Sequence, residues 1–266
     1  MSQIHPTAIV EAGAQLGPDV TIGPYCVVGS KVVLGAGVVL QSHVVVTGDT
    51  RIGARTHAFP FSSLGQIPQD KKYKGEPARL EIGEDNVIRE GVTMNIGTEG
   101  GGMLTKVGDR GLYMTGVHIG HDCQVGNDVV FANNGTLGGH VIVGDFVLLG
   151  GLSAVHQFCR IGPYAMVGGL TGVERDVIPY GMVVGDRARL AGLNLRGLQR
   201  NGFSTDAIRA IRQAYGELFG TVGTFAERLD AVAVRYADYA AVNEIIEFIR
   251  TDSSRGLVQP DADHGA

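Results

Sequence analysis

Apolar residues recur every six positions along most of this chain. Counting from Ile4, the residues Val10, Leu16, Ile22, Val28, Leu34, Leu40, Val46 and Ile52 are all apolar. A second run starts at Val107 and continues through Tyr113, Ile119, Val125, Phe131, Leu137, Val143, Leu149, Val155, Ile161, Val167 and Val173. A period of six is neither the 3.6 of an amphipathic helix nor plain strand alternation. It predicts a solenoid in which each hexad makes one short strand and one turn, with the apolar residue inward. Glycine often follows that residue, as in "IGPYCV", "VGNDVV" and "VGDFVL", and supplies backbone freedom at the turn. Three hexads close one triangular coil of eighteen residues, and coils stack at about 4.8 Å. The expected fold is an all-β parallel β-helix.

Two segments break the count. Residues 65–80, "GQIPQDKKYKGEPARL", are polar and lysine-rich; residues 97–106, "GTEGGGMLTK", are glycine-rich. Insertions in a solenoid emerge as loops on one face, often the binding face. The repeat is expected to fill residues 1–189, with a small helical domain over 190–266. There Ile208, Ile211, Tyr215, Leu218 and Phe219 share one helical face, with Ser204 or Thr205 as a cap. Thr224 and Glu227 have capping-box spacing, and Val242, Ile245, Ile246 and Ile249 mark a further helix. The last stretch, "VQPDADHGA", is expected to fray.

Composition narrows the class. Hydrophobic residues are 44% and charged ones 18%, which suits a well-cored protein. Glycine supplies 41 of 266 residues, about twice the usual share, while nine prolines are too few for collagen or a disordered linker. A net charge of −5 argues against a nucleic-acid binder, which needs a basic face. No apolar run approaches a membrane span. The N-terminus "MSQIHPTAIV" lacks the pattern of a signal peptide, so a cytoplasmic location is expected. Cys26, Cys123 and Cys159 fit no zinc spacing and read as reduced, buried thiols.

The histidines then stand out. Taken modulo eighteen, His118, His121, His140 and His156 leave remainders 10, 13, 14 and 12. They lie within about one third of the perimeter on three consecutive coils, and none takes the inward hexad position. Two chemistries compete for such a band: a metal site between coils, or a neutral imidazole acting as general base, with Asp122 orienting His121. A flat solenoid wall has no deep pocket of its own. A partner wall is therefore expected, most simply in a cyclic oligomer.

Several stretches carry a family resemblance: "IHPTAIVEAGAQLG", "HVVVTGDTRIG", "QDKKYKGEP", "HIGHDCQVGN", "ANNGTLGGHV", "AVHQFCRIG", "MVGGLTGV" and "GLQRNGFS". In order, and with the helical tail, they resemble the UDP-N-acetylglucosamine acyltransferases, which catalyse the first committed step of lipid A synthesis. The resemblance implies a left-handed β-helix, against the usual right-handed rule for parallel crossovers. It also implies a homotrimer with active sites between subunits. The reaction it implies is transfer of a 3-hydroxyacyl group from acyl carrier protein to the 3-hydroxyl of UDP-N-acetylglucosamine. No metal or other cofactor is implied, the acyl group riding on the carrier's phosphopantetheine.

Residue by residue, His121 matches the family's general base, Asp122 its support, and the Gly139 N–H the oxyanion donor. Asp70, His118, His140 and Gln157 match groups around the sugar and acyl chain, and His156 a nucleotide-side residue. Gln69, Asn194 and Arg200 match the nucleotide end, and Lys72 is grouped with the substrate-binding residues. Gly169 matches the end of the acyl groove, where a glycine leaves room for a long chain. Lys71, Lys72 and Lys74, with Arg187, Arg189 and Arg196, suit an acidic carrier protein.

One departure matters. Where many members read His-Arg-Gly-Thr, this chain reads "NIGT" at residues 95–98, which leaves a 3-amino acceptor, giving an amide, as the alternative. Three further readings carry less. The pathway's later N-acyltransferase typically has an extra N-terminal domain, whereas the hexads here start at Ile4. A hexapeptide-repeat zinc carbonic anhydrase has differently spaced histidines. A non-catalytic scaffold leaves the loops and the histidine band without a role.

Overall fold

The computed structural model describes residues 2–260. Among them, short strands form three sheets of eleven, nine and eight strands, parallel except for the last strand of the first, and these are the three faces of a triangular prism. The chain is a left-handed parallel β-helix followed by a few short helices. Face 1 includes Leu112–Tyr113, Val130–Phe131, Leu148–Leu149 and Met166–Val167. Face 2 includes His118–Ile119, Thr136–Leu137 and Ala154–Val155. Face 3 includes Gln124–Val125, Ile142–Val143 and Arg160–Ile161.

Register follows from the hexads. His118 pairs with Thr136 and Thr136 with Ala154, each eighteen residues on. The hexad residues point inward and stack on their equivalents in the next coil: Ile22, Leu40, Ile88, Tyr113, Phe131 and Leu149 are all buried on face 1. Fully burying an aliphatic or aromatic side chain of this size contributes about 1.5–3 kcal/mol before the entropy of ordering is counted. A one-residue slip would turn the whole inward row to solvent, so the pattern also locks the register.

The two interruptions leave this stack intact. Asp49 pairs with Arg79 and Arg79 with Leu104, separations of thirty and twenty-five, so the loops add twelve and seven residues to an eighteen-residue coil. The strands reach into the ends of both polar segments: Ser63–Gln66, Arg79–Ile82 and Leu104–Val107 are paired. Both loops leave face 2 and rejoin face 3, so they share one corner of the prism.

The end of the β-helix differs from the expected boundary at 189. Gly181–Val184 turns back on Arg189–Leu193 as an antiparallel hairpin, so that boundary falls inside a strand. Four helices follow: α1 (Leu195–Arg200), α2 (Thr205–Leu218), α3 (Phe225–Arg235) and α4 (Ala240–Arg250). Ser204 caps α2, and Thr224 and Glu227 form the capping box of α3. Leu198, Ile211, Leu218, Val242 and Ile245 build a second core, joined to the β-helix through Tyr180. No helix among the described residues is long and apolar enough to cross a membrane.

The expectation of fraying does not hold at the start of the C-terminal stretch. Val258 is buried, its N–H donates to the Asp176 carbonyl (2.8 Å), and the Asp176 N–H donates to the Gly256 carbonyl (2.8 Å). Asp176 is itself buried and ion-paired with Arg160 at 2.7 Å. Arg160 also donates to the carbonyls of Phe248 and Thr251, clamping the end of α4 to the solenoid. The polar look of "VQPDADHGA" hides one apolar anchor, Val258; residues 261–266 lie outside the described residues.

Candidate active site

The corner between faces 2 and 3 holds the candidate chemistry. At most corners of the coils one residue takes the left-handed backbone region. Asp122, His140 and Phe158 are such residues, with φ of 60°, 61° and 65°, stacked at eighteen-residue intervals. Both inserted loops fold over this corner.

Asp122 is fully enclosed, with no exposed side-chain surface. Its Oδ1 accepts the Thr98 N–H (2.8 Å) and its Oδ2 accepts the Thr98 hydroxyl (2.6 Å). Its own N–H donates to the Thr105 hydroxyl at 2.7 Å. A carboxylate buried this way needs such donors to offset its lost hydration. The second loop therefore both covers Asp122 and satisfies it. Gly101 allows the close cover, since a Cβ there would fall 2.0 Å from the Asp122 Cγ.

His121 Nδ1 lies 2.8 Å from Asp122 Oδ2. A carboxylate only accepts, so Nδ1 carries the hydrogen and Nε2 presents its lone pair outward. Nε2 faces Gly139: a Cβ there would stand 2.5 Å from Cε1 and 2.6 Å from Nε2 of the ring. Only a glycine leaves space for the imidazole in this position. The Gly139 N–H has no protein acceptor among the described residues, as is also the case for the corner N–H groups of His121 and Gln157.

The other expected residues fall into three places. His118 stands on face 2 with Nδ1 2.8 Å from the Thr93 hydroxyl, and burial, with the nearby His121, holds its imidazole below the usual range. Burial does the same to His140, against the opposing pull of Asp122. His140, Asp70 and Lys72 line a cleft of about 550 Å³ with Thr98, Glu99 and Phe158. Asp70 folds its own loop by accepting the Lys72 N–H at 2.9 Å, and Gln69 is exposed beside it. His156 and Gln157 sit one coil further along the same corner, His156 Nδ1 lying 3.2 Å from the Gln157 carbonyl.

Asn194 and Arg200 are elsewhere. They border a second cleft, of about 420 Å³, against Val130, Leu148 and Met166 of face 1. The Asn194 amide is already engaged: Nδ2 donates to the Tyr164 carbonyl (2.9 Å) and Oδ1 caps α1 through the Gly197 N–H (3.1 Å). Gly169 is exposed at the corner of faces 1 and 2, next to the outward Leu152 and Leu170. A single chain thus gathers the histidines, Asp122, Gly139, Asp70 and Lys72, and leaves Asn194, Arg200 and Gly169 apart from them.

The "NIGT" departure has a structural role. Asn95 is buried and donates to the carbonyls of Ile67 (3.2 Å) and Gln66 (3.4 Å), so it anchors the first loop. Thr98 holds Asp122. Sequence reasoning missed Thr98, Thr105 and Phe158 as site residues. The eighteen-residue count that found the histidines also points to Phe158, which shares the phase of Asp122 and His140.

His121, Asp122 and His140 also offer three donor atoms within 4.8 Å of one another. His140 Nδ1 is 3.8 Å from Asp122 Oδ2, and both carboxylate oxygens already take strong donors. The set suits a proton relay better than a ligand cage.

Hexad coils carrying a histidine–carboxylate pair on an outer corner define a hexapeptide-repeat transferase. Residues 1–36 match the bacterial transferase hexapeptide family, and residues 176–258 match the second domain of UDP-N-acetylglucosamine O-acyltransferase. An acyl-(acyl-carrier-protein)–UDP-N-acetylglucosamine O-acyltransferase of Thiobacillus denitrificans is 47% identical over 97% of this chain and all of its own length. The enzyme of the same name from Paracoccus denitrificans is 51% identical over 76% of each chain. The solved UDP-N-acetylglucosamine acyltransferase of Campylobacter jejuni superposes with a TM-score of 0.92 at 36% identity, over 97% of this chain and 100% of its own. The chain belongs to the UDP-N-acetylglucosamine O-acyltransferase family.

Proposed function

We propose that this acyltransferase moves a 3-hydroxyacyl group from acyl carrier protein to the 3-hydroxyl of UDP-N-acetylglucosamine, the first step of lipid A synthesis, with His121 as general base. The observation that carries the assignment is the His121 ring itself. Asp122 fixes its Nδ1, and its Nε2 stands beside Gly139, whose N–H has no protein acceptor among the described residues. Nε2 takes the proton of the sugar hydroxyl as that oxygen attacks the thioester carbonyl. Negative charge builds on the former carbonyl oxygen, where a preorganised N–H donor stabilises it. Collapse expels the phosphopantetheine thiolate, which recovers the proton from the imidazolium. Asp122 stabilises that imidazolium meanwhile. No metal takes part in this scheme; metal analysis of active protein tests that point, and one bound zinc per site would favour the lyase reading.

The O-acyl outcome is favoured over the amide. Both relatives are named O-acyltransferases, and Asn95 is engaged with the first loop, so the altered tetrapeptide leaves the acceptor pocket free of a new group.

The assembly is a homotrimer with sites between subunits. The separation of Asn194, Arg200 and Gly169 from His121 supports this reading, because a neighbour's face 1 can bring the nucleotide-binding pair to the histidine corner. So does the wholly apolar outward row on face 1 (Leu112, Val130, Leu148, Met166), against the mixed row Lys106, Gln124, Ile142 and Arg160 on face 3. The β-helix acts as the catalytic domain and the helical segment as its closing domain. The two soluble substrates fit a cytoplasmic enzyme. Gln69, Asp70, Lys72, His118, His140, His156 and Gln157 contact the sugar, the nucleotide or the acyl donor.

The test is acyl transfer from a panel of 3-hydroxyacyl carrier proteins to the UDP-sugar and to its 3-amino analogue. Wild type should prefer the hydroxyl, and His121→Ala should lose about 10²–10⁴-fold in kcat. Wild-type inactivity on both acceptors would sink the assignment.

A further inference from the structure

Rings and a guanidinium stack along the active corner. His121 meets His140 edge to face, centroids 5.0 Å apart at 88°. Phe158 lies flat on the other side of His140, 4.4 Å away and within 6° of parallel. The Arg255 guanidinium sits 5.9 Å from the Phe158 ring centre, and its Nε donates to the Gln157 carbonyl at 2.8 Å.

His140 needs such a support. Its imidazole makes no hydrogen bond among the described residues, and its nearest charged neighbour, Asp122 Oδ2, is 3.8 Å away. The left-handed backbone sets the direction of Cβ, but χ1 and χ2 stay free to swing the ring toward solvent. Phe158, one coil on and with the same backbone, blocks that swing. Phe158 is 46% exposed and borders the cleft with Asp70 and Lys72, so core packing does not account for it. Arg255 comes from the C-terminal return, which Asp176 and Val258 tie to the solenoid.

We propose that Phe158, braced by Arg255, is a positioning residue that fixes the His140 imidazole in the acyl-transfer site. The effect on turnover rests on the acyl-transfer reading; the effect on the imidazole does not. The groups facing His140 are Asp122 and His121 on the preceding coil and Asp70 and Lys72 on the first loop. Arg255 lies beyond Phe158. Removing the phenyl ring opens one face of the imidazole to water and lets it accept a proton more readily.

Two readouts test this. In kinetics, Phe158→Ala should lower kcat/KM about tenfold, the scale of one lost stacking contact plus some freedom of the ring. Phe158→Tyr, which keeps the stack, should stay within about threefold of wild type. In a His140→Ala background the Phe158→Ala change should cost nothing further, because its target is gone. In NMR, the His140 Cε1–H resonance of Phe158→Ala should lose its ring-current shift and titrate at higher pH. Equal kinetic losses in both backgrounds would overturn the proposal, as would a His140 resonance and titration indifferent to Phe158. If wild type transfers no acyl group at all, the acyl-transfer reading fails and the NMR result alone decides the positioning role.

Discussion

Replacing Gly139 by alanine separates a steric role from an electronic one. The variant keeps the backbone N–H, so any loss cannot come from a missing donor. Its Cβ would stand 2.5 Å from His121 Cε1, 2.6 Å from Nε2 and 3.1 Å from Nδ1. Unstrained carbon contacts lie near 3.5–4.0 Å, so the imidazole must retreat by roughly 1 Å. The His121–Asp122 hydrogen bond is 2.8 Å long, and such a shift takes it out of range and moves Nε2 off the acceptor hydroxyl. Misplacement of that size costs about 10²-fold in rate, or about 2.7 kcal/mol of barrier. Stability should fall as well, because the buried Asp122 carboxylate loses its imidazole donor. The backbone itself offsets part of that loss, since Gly139 is not in the left-handed region and alanine restricts the unfolded chain. The expected pattern is kcat down about a hundredfold with Tm lowered by about 2–4 °C, measured by steady-state transfer and thermal melting. A Gly139→Ala enzyme within about threefold of wild type would refute the clearance argument and the His121 placement behind it.

Other perturbations probe the shell around the pair. Thr98→Val removes the 2.6 Å hydroxyl donor from the buried Asp122; hydrogen bonds to charged groups contribute about 1.5–3 kcal/mol, so urea unfolding should show a loss of that order, and an unchanged midpoint would contradict it. Tyr113 packs edge-on against Phe131, and its buried hydroxyl finds no partner among the described residues. Tyr113→Phe should therefore raise Tm by about 2–4 °C, the effect of relieving about 1 kcal/mol in a chain of this size. A lower Tm would mean that the hydroxyl is satisfied. His118 and His140 are held below the ordinary imidazole range by burial, so on acidification the unfolded state takes up their protons first. The stability from keeping them neutral is complete above about pH 6.5 and declines as pH falls below it. Tm measured from pH 7.5 down to 5 should fall, and His118→Gln should flatten the slope.

Periodicity carried most of the fold because solenoid physics is local. Each inward residue needs only its equivalent eighteen positions away, so Val107 through Val173 can be placed without any distant contact. The histidine corner was legible for the same reason, since remainders modulo eighteen locate a side chain around the prism. What escaped lies where the count has no phase. Thr98 sits in a loop whose path depends on its bonds to Asp122. Arg255 and Val258 return to the solenoid after four helices, and no period links them to Gln157 or Asp176. Asn194 shows the converse: its side chain caps α1, a local task that motif matching does not reveal.

The shared corner of the two inserted loops has a consequence for how this scaffold changes over time. Twelve and seven residues enter between faces 2 and 3, yet the strands on either side resume their pairing. Length can therefore vary at that corner without disturbing the load-carrying stack, whereas an insertion inside a strand would turn inward residues outward. The corner works as a socket: the stack sets where His121 and Asp122 stand, and the loops set how much of them is covered. Inserting residues at the exposed Lys74–Gly75 tip should reshape the cleft while the prism melts at the same temperature.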